Sequence, residues 1–179
     1  MNYDVLKTIN GLSGNRAADD IMKFAAQYLV FLVFALFAVL CWDQLRRRQF
    51  VTLFGVVATL GFAFVFGLLA VVVYPEDRPF STHPGLHQLI KHGAGQSFPS
   101  DHALASFAIA LAILIFVSRP WGVLLLTLAS LIAFARVYVG IHYPGDVLGS
   151  LLIAGLAALV AVGLSPMFKR LTVDRHLTT

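Results

Sequence analysis

Three short polar clusters interrupt a chain that is otherwise strongly apolar, and each carries residue types that handle phosphate. The first, Tyr74-Pro75-Glu76-Asp77-Arg78-Pro79-Phe80, offers a guanidinium whose planar fork of donors matches phosphate oxygens. An interfacial turn accounts for the same residues, with the prolines ending a helix and Arg78 paired to Glu76, Asp77 or a lipid headgroup. In the second, Pro99-Ser100-Asp101-His102, Ser100 is a good N-cap and Asp101 suits the positive end of a helix dipole. Alternatively, Ser100 and the first-turn amides bind an anion while His102 gives a proton to a departing oxygen. The third runs from Ala135-Arg136 to His142-Tyr143-Pro144-Gly145-Asp146. An arginine late in an apolar run needs a partner or an anion, and His142 with Asp146 has the spacing at which a carboxylate fixes an imidazole. An imidazole so held presents its other nitrogen as a nucleophile. A Tyr-Pro-Gly turn with Asp146 capping the next helix is compatible with that role.

The elements that must position these clusters are membrane helices. Hydrophobic residues make up 59% of the 179, charged residues 12%, and the mean hydropathy is +0.82. Five stretches approach the roughly 20 apolar residues that a spanning helix needs: Phe24 to Trp42, Val51 to Tyr74, Pro99 to Val117, Trp121 to Val139 and Val147 to Leu164. The fold class expected is therefore all-α, a polytopic membrane bundle of about five spans plus short interfacial helices. It forms a single domain over residues 1–179 with a core of about 51–164. Asn2 to Leu12 is expected to lie along the interface as a short amphipathic helix. Met1 to Asp20 is too polar for a cleaved signal peptide. Cys41, the single cysteine, excludes an internal disulfide and a cysteine metal cluster.

The net charge of +4 is not a nucleic-acid signature, because the basic residues are scattered between apolar runs. They speak to orientation instead. Arg46, Arg47, Arg48, Arg119, Lys169, Arg170 and Arg175 all fall on one side of a five-span path. That side is cytoplasmic by the positive-inside rule, so all three polar clusters reach the outer face.

With the clusters in place, the pattern resembles the type 2 phosphatidic acid phosphatase superfamily, which joins membrane lipid phosphatases and soluble vanadium haloperoxidases. Its signature reads Lys, six residues, Arg-Pro; then Pro-Ser-Gly-His; then Ser-Arg, five residues, His, three residues, Asp. Arg78-Pro79, Pro99-Ser100-Asp101-His102 and Arg136, His142 and Asp146 match its internal spacings, over a region from about Val51 to Leu164. Three positions depart: Val71 stands for the lysine, Asp101 for the glycine and Ala135 for the serine. The Pro-Ser-Asp-His variant is similar to that of the bacterial undecaprenyl-pyrophosphate phosphatase branch.

The resemblance implies a division of labour. His142, held by Asp146, attacks the terminal phosphorus to give a phosphohistidine. His102 protonates the leaving oxygen and then activates water. Arg78, Arg136 and Ser100 hold the phosphoryl oxygens. Asp101 and Lys91 are possible modulators, Lys91 as a replacement for the lysine absent at Val71. The scheme requires no metal and no cofactor. A divalent site on His83, His87 and Lys91, with His92 beside them, depends on Pro84 to Lys91 being helical, and a solvated face near headgroups explains that run better. The partners expected are an isoprenoid or other lipid phosphate and the surrounding membrane lipids, with no nucleic acid; the oligomeric state is open. The function expected is hydrolysis of undecaprenyl pyrophosphate at the outer leaflet of a bacterial inner membrane, recycling a carrier for cell-wall synthesis. Hydrolysis of phosphatidylglycerol phosphate or phosphatidic acid, lipid-phosphate transport without cleavage, and haloperoxidase chemistry are the alternatives.

Overall fold

A computed structural model describes residues 2–177, with side chains described through Phe168. The side chains of Lys169, Arg170 and Arg175, which contribute to the charge bias, lie outside the described residues. Among the described residues eight helices follow in order: α1 Asn2–Asn10, α2 Arg16–Gln27, α3 Leu29–Arg46, α4 Phe50–Val73, α5 Pro79–Thr82, α6 Asp101–Phe116, α7 Arg119–Tyr138 and α8 Pro144–Leu177. Among the described residues there is no strand, only an isolated bridge between Asp77 and Gln96. By length and composition α3, α4, α7 and the Pro144–Phe168 part of α8 can each cross a membrane.

The fifth apolar helix, α6, has 16 residues and extends about 24 Å, short of the roughly 30 Å hydrocarbon core. It is apolar on every side and sits at the centre, packed against α3, α4, α7 and α8. Its buried residues include Ala103, Ala108, Ala110 and Ala112, whose small side chains let neighbouring backbones approach. At the closest approach a Cβ on Gly122 of α7 would stand 2.3 Å from Leu114 Cα of α6.

One expectation needs correction. The first span does not begin at Phe24: the chain breaks at Tyr28, and Phe24 belongs to α2. The cause is the charged face of Arg16, Asp19, Asp20 and Lys23, which makes α2 an amphipathic helix packed on α7. Tyr138 donates its hydroxyl to Asp19 Oδ1 at 2.8 Å across that contact. The N-terminal helix forms as expected and is docked on the bundle. Leu6 is fully buried, and Asn10 donates to the carbonyls of Tyr138 (2.8 Å) and His87 (2.9 Å). One of the unpaired carbonyls that every helix C-terminus leaves is thereby satisfied.

The end of α7 sets the path into the third polar cluster. Gly140 has φ +79°, its N–H reaches Val137 O (3.0 Å), and the Ile141 N–H reaches Arg136 O (3.3 Å). This is a Schellman termination, which reverses the chain in two residues and brings His142 back beside Arg136. A Cβ at 140 would also meet His87 O at 2.9 Å. Gly140→Ala should lower unfolding stability by about 1–3 kcal/mol. Gly61→Ala, in open space on α4, is the control, and similar denaturation midpoints for both variants in detergent would contradict the assignment.

Candidate active site

His142 lies in the turn between α7 and α8 and is 1% exposed. Pro144 opens α8 with its φ already helical, and Asp146, two residues on, reaches back to accept the Tyr143 N–H at 2.8 Å. The same oxygen, Asp146 Oδ2, accepts the His142 Nδ1–H at 3.2 Å and the hydroxyl of Ser97. Asp146 is thus both the helix cap and the imidazole holder. Its other oxygen, Oδ1, is buried with no hydrogen-bond partner.

The opposite ring nitrogen settles the tautomer. Arg78 Nη1 is 3.1 Å and Arg136 Nη2 3.3 Å from His142 Nε2. Guanidinium groups only donate, so Nε2 carries a lone pair and Nδ1 the proton. Burial lowers the His142 pKa to about 4; Asp146 opposes the shift, and the charges of Arg136 and Arg78 add to it. The ring is therefore neutral near pH 7, with its lone pair between two cations.

Those cations are well anchored. Arg78 precedes α5, and its Nη1 also donates to Ile141 O at 3.2 Å. Arg136 Nη1 donates to Ala26 O of α2 at 3.1 Å. Both Nε atoms are buried without partners, as is the hydroxyl of Ser100. Ser100 occupies the N-cap position of α6 but makes no side-chain cap bond. Its backbone is pinned instead to Ser150 of α8: the Ser150 hydroxyl receives the Ser100 N–H at 3.0 Å and contacts Asp146 O at 2.7 Å. A buried donor without an acceptor costs about 1–3 kcal/mol, and unpartnered donors on both arginines that flank the lone pair suit an oxyanion.

His102 and Asp101 stand at the start of α6, on the wall of an apolar cleft. A cavity of about 270 Å³ is lined by Val30, Phe31, Phe34 and Ala105 together with Asp101 and His102. A second, of about 420 Å³, shares Phe34, Asp101 and Ala105 and continues between α3, α4 and α6 past Leu60 and Phe64. Asp101 is exposed and carries the charge that opposes the burial-driven lowering of the Arg78 pKa. A carboxylate beside the anion cradle is thus balanced by arginine.

The outer loop lacks the helix on which a divalent site would depend. Pro84 to Lys91 is not helical, because α5 ends at Thr82 and His83 is extended before Pro84. His83 stacks on Tyr3 with centroids 3.8 Å apart, and His87 Nδ1 meets the Ser13 hydroxyl at 2.8 Å. Among the described residues no group of three His, Cys, Asp or Glu side chains is placed to hold a metal ion. Lys91 is exposed and makes no hydrogen bond or ion pair with the site. Its neighbour His92 is the residue that feels the cluster. Burial lowers the His92 pKa, the Gly93 carbonyl opposes this, and the charges of Arg78 and Arg136 lower it further.

Spacing alone missed three residues. Ser97 and Glu76 meet because the Ser97 N–H donates to Glu76 O at 2.7 Å, next to the Asp77–Gln96 bridge. Ser150 lies one helical turn beyond Asp146. No motif marks them, and a serine four residues after the aspartate is the one local hint.

The chain is similar to several known proteins. Undecaprenyl-diphosphatase BcrC of Bacillus subtilis (strain 168) is 41% identical over 157 residues, covering 86% of this chain and 79% of that protein. A protein named bacitracin transport permease protein BcrC, from Bacillus licheniformis, is 30% identical over 168 residues, 93% of this chain and 81% of that one. The crystal structure of Aquifex aeolicus LpxE has the same fold, with a TM-score of 0.74 over 90% of this chain and 94% of that chain at 20% identity. The model of the PAP2 superfamily matches residues 52–170, from early α4 into α8, and the chain belongs to that superfamily.

Proposed function

We propose that this protein is a membrane phosphatase that hydrolyses undecaprenyl pyrophosphate to undecaprenyl phosphate and inorganic phosphate at the outer leaflet. The observation that carries the reading is the neutral Nε2 lone pair of His142 between two guanidinium groups. Nε2 attacks the terminal phosphorus while the bond from that phosphorus to the bridging oxygen breaks. Arg78, Arg136 and Ser100 take the equatorial oxygens, where charge develops. His102 protonates the bridging oxygen as undecaprenyl phosphate leaves. The same imidazole then takes a proton from water, which attacks the phosphohistidine and frees phosphate. Turnover at the outer leaflet would return the carrier lipid to cell-wall synthesis.

Three features support the lipid and the side. The cleft from His102 down α3, α4 and α6 lets an isoprenoid tail stay among apolar side chains while its charged head meets the arginines. The similarity to undecaprenyl-diphosphatase BcrC points to the same substrate class. Arg46, Arg47, Arg48 and Arg119 lie at the opposite ends of their helices from the site, the arrangement of an outward-facing pocket in a bacterial inner membrane. The transport name of the second relative favours a competing reading in which the same cleft binds without cleaving. Phosphate release separates them.

Purified His142→Ala should release phosphate from undecaprenyl pyrophosphate at least about a thousandfold more slowly than wild type; equal release from both would sink the proposal. The acid limb of kcat/KM should lie near pH 4, since His142 must be neutral to attack and burial holds its pKa there. A limb near the ordinary imidazole value of about 6.5 would contradict a buried nucleophile. Ala105→Trp, which fills the wall shared by both cavities, should raise KM for undecaprenyl pyrophosphate about tenfold, some 1.4 kcal/mol. Farnesyl pyrophosphate should be affected much less, and an equal rise for both lipids would place the tail elsewhere.

A further inference from the structure

We propose that Glu76 is a positioning residue that works as a protonated carboxylic acid, donating a hydrogen bond to Asp146 Oδ1, the oxygen opposite the one that holds His142. Asp146 is fully buried, and its two oxygens are unequal. Oδ2 receives His142 Nδ1, Tyr143 N and the Ser97 hydroxyl, whereas Oδ1 has no partner. A buried carboxylate oxygen calls for a donor.

Glu76 is the group placed to supply it. Its carbonyl accepts the Ser97 N–H at 2.7 Å, and the hydroxyl of that same serine sits on Asp146. The segment after α4 is thereby fastened to the first turn of α8. The charged and titratable groups facing Glu76 are Asp146 on α8 and Tyr143 just before it. Tyr143 is engaged with Thr82 of α5 at 3.0 Å, and Tyr3 of α1 also acts on it electrostatically. Arg78, on the same segment, directs Nη1 to Ile141 O and His142. No ion pair forms at Glu76 among the described residues. Two carboxyl groups that feel each other's charge, with no cation paired to Glu76, share a proton in preference to both ionising.

The titration of Glu76 agrees with this placement. Burial raises its pKa to about 7, and the charge of Asp146 acts in the same direction. A carboxyl with a raised pKa keeps its proton below that value and loses it above. As pH rises through about 7, the donor to Oδ1 is lost, a second negative charge faces Asp146, and the hold on His142 Nδ1 is disturbed. This rests on the reading of His142 as nucleophile.

The test uses the full chain in detergent with undecaprenyl pyrophosphate, comparing wild type, Glu76→Gln, Glu76→Ala and His142→Ala. Wild-type kcat should fall on an alkaline limb near pH 7. Glutamine keeps a donor and cannot ionise, so in Glu76→Gln that limb should move up by about one pH unit or more. Glu76→Ala should lose about tenfold or more in kcat with KM changed less than about twofold, and Glu76→Gln should recover most of that loss. The same alkaline limb in Glu76→Gln as in wild type, or wild-type kcat in Glu76→Ala, overturns the inference. An active His142→Ala would overturn the underlying reaction scheme instead, so the two failures are distinguishable. If Glu76→Ala does not fold, the position of the limb in Glu76→Gln decides alone.

Discussion

The hydrogen bond from His142 Nδ1 to Asp146 Oδ2 governs the site. Without it, the ring would be free to turn a protonated nitrogen toward Arg78 and Arg136, two groups that can only donate. With it, the lone pair of Nε2 is the one acceptor those guanidinium groups find at the centre of the pocket. Two cations around a buried neutral ring are costly to assemble unless an anion arrives. The unpartnered Nε atoms of both arginines and the free hydroxyl of Ser100 therefore describe, in outline, the ligand the pocket suits. In the proposed reaction the same donors that face the lone pair move onto phosphoryl oxygens as Nε2 bonds to phosphorus.

The bundle makes this arrangement possible by holding the start of one helix, the end of a second and the start of a third at one place. Ser150 bridges the first turn of α8 to the beginning of α6, and the Gly140 termination folds the end of α7 back over both. Around them α1 and α2 act as braces: Asn10 caps α7, Ala26 takes a donor from Arg136, and Asp19 takes the Tyr138 hydroxyl. The central position of α6 leaves its first turn facing both the polar cluster and the apolar cleft. His102 is thus set where a charged head and a hydrocarbon tail would part.

Much of this was legible in the sequence because it rests on local spacing. A four-residue step from His142 to Asp146 and a six-residue step from Arg136 to His142 survive folding almost unchanged, and apolar runs of membrane length announce themselves. The break at Tyr28 was less legible, since Phe24 to Gln27 reads as apolar until the charged face of α2 is seen from the side. Ser97, Glu76 and His92 were hidden for a different reason. Their roles depend on how the outer loop pairs with the segment after α4, a contact that no periodicity encodes. Lys91 illustrates the same limit, because one residue of register in an irregular loop separates a solvent-exposed side chain from one that feels the arginines.

The central claim, that His142 Nε2 bonds to phosphorus, can be met by chemical trapping. Undecaprenyl pyrophosphate labelled in its terminal phosphate, mixed with His102→Ala protein and quenched in base, should leave label on His142 as an acid-labile, base-stable phosphoramidate. The account predicts label in His102→Ala that builds slowly, since the same imidazole also protonates the leaving oxygen, and persists because water activation is impaired, and none in His142→Ala. Label retained in His142→Ala, or steady phosphate release from His102→Ala with no labelled protein at any time, would contradict it.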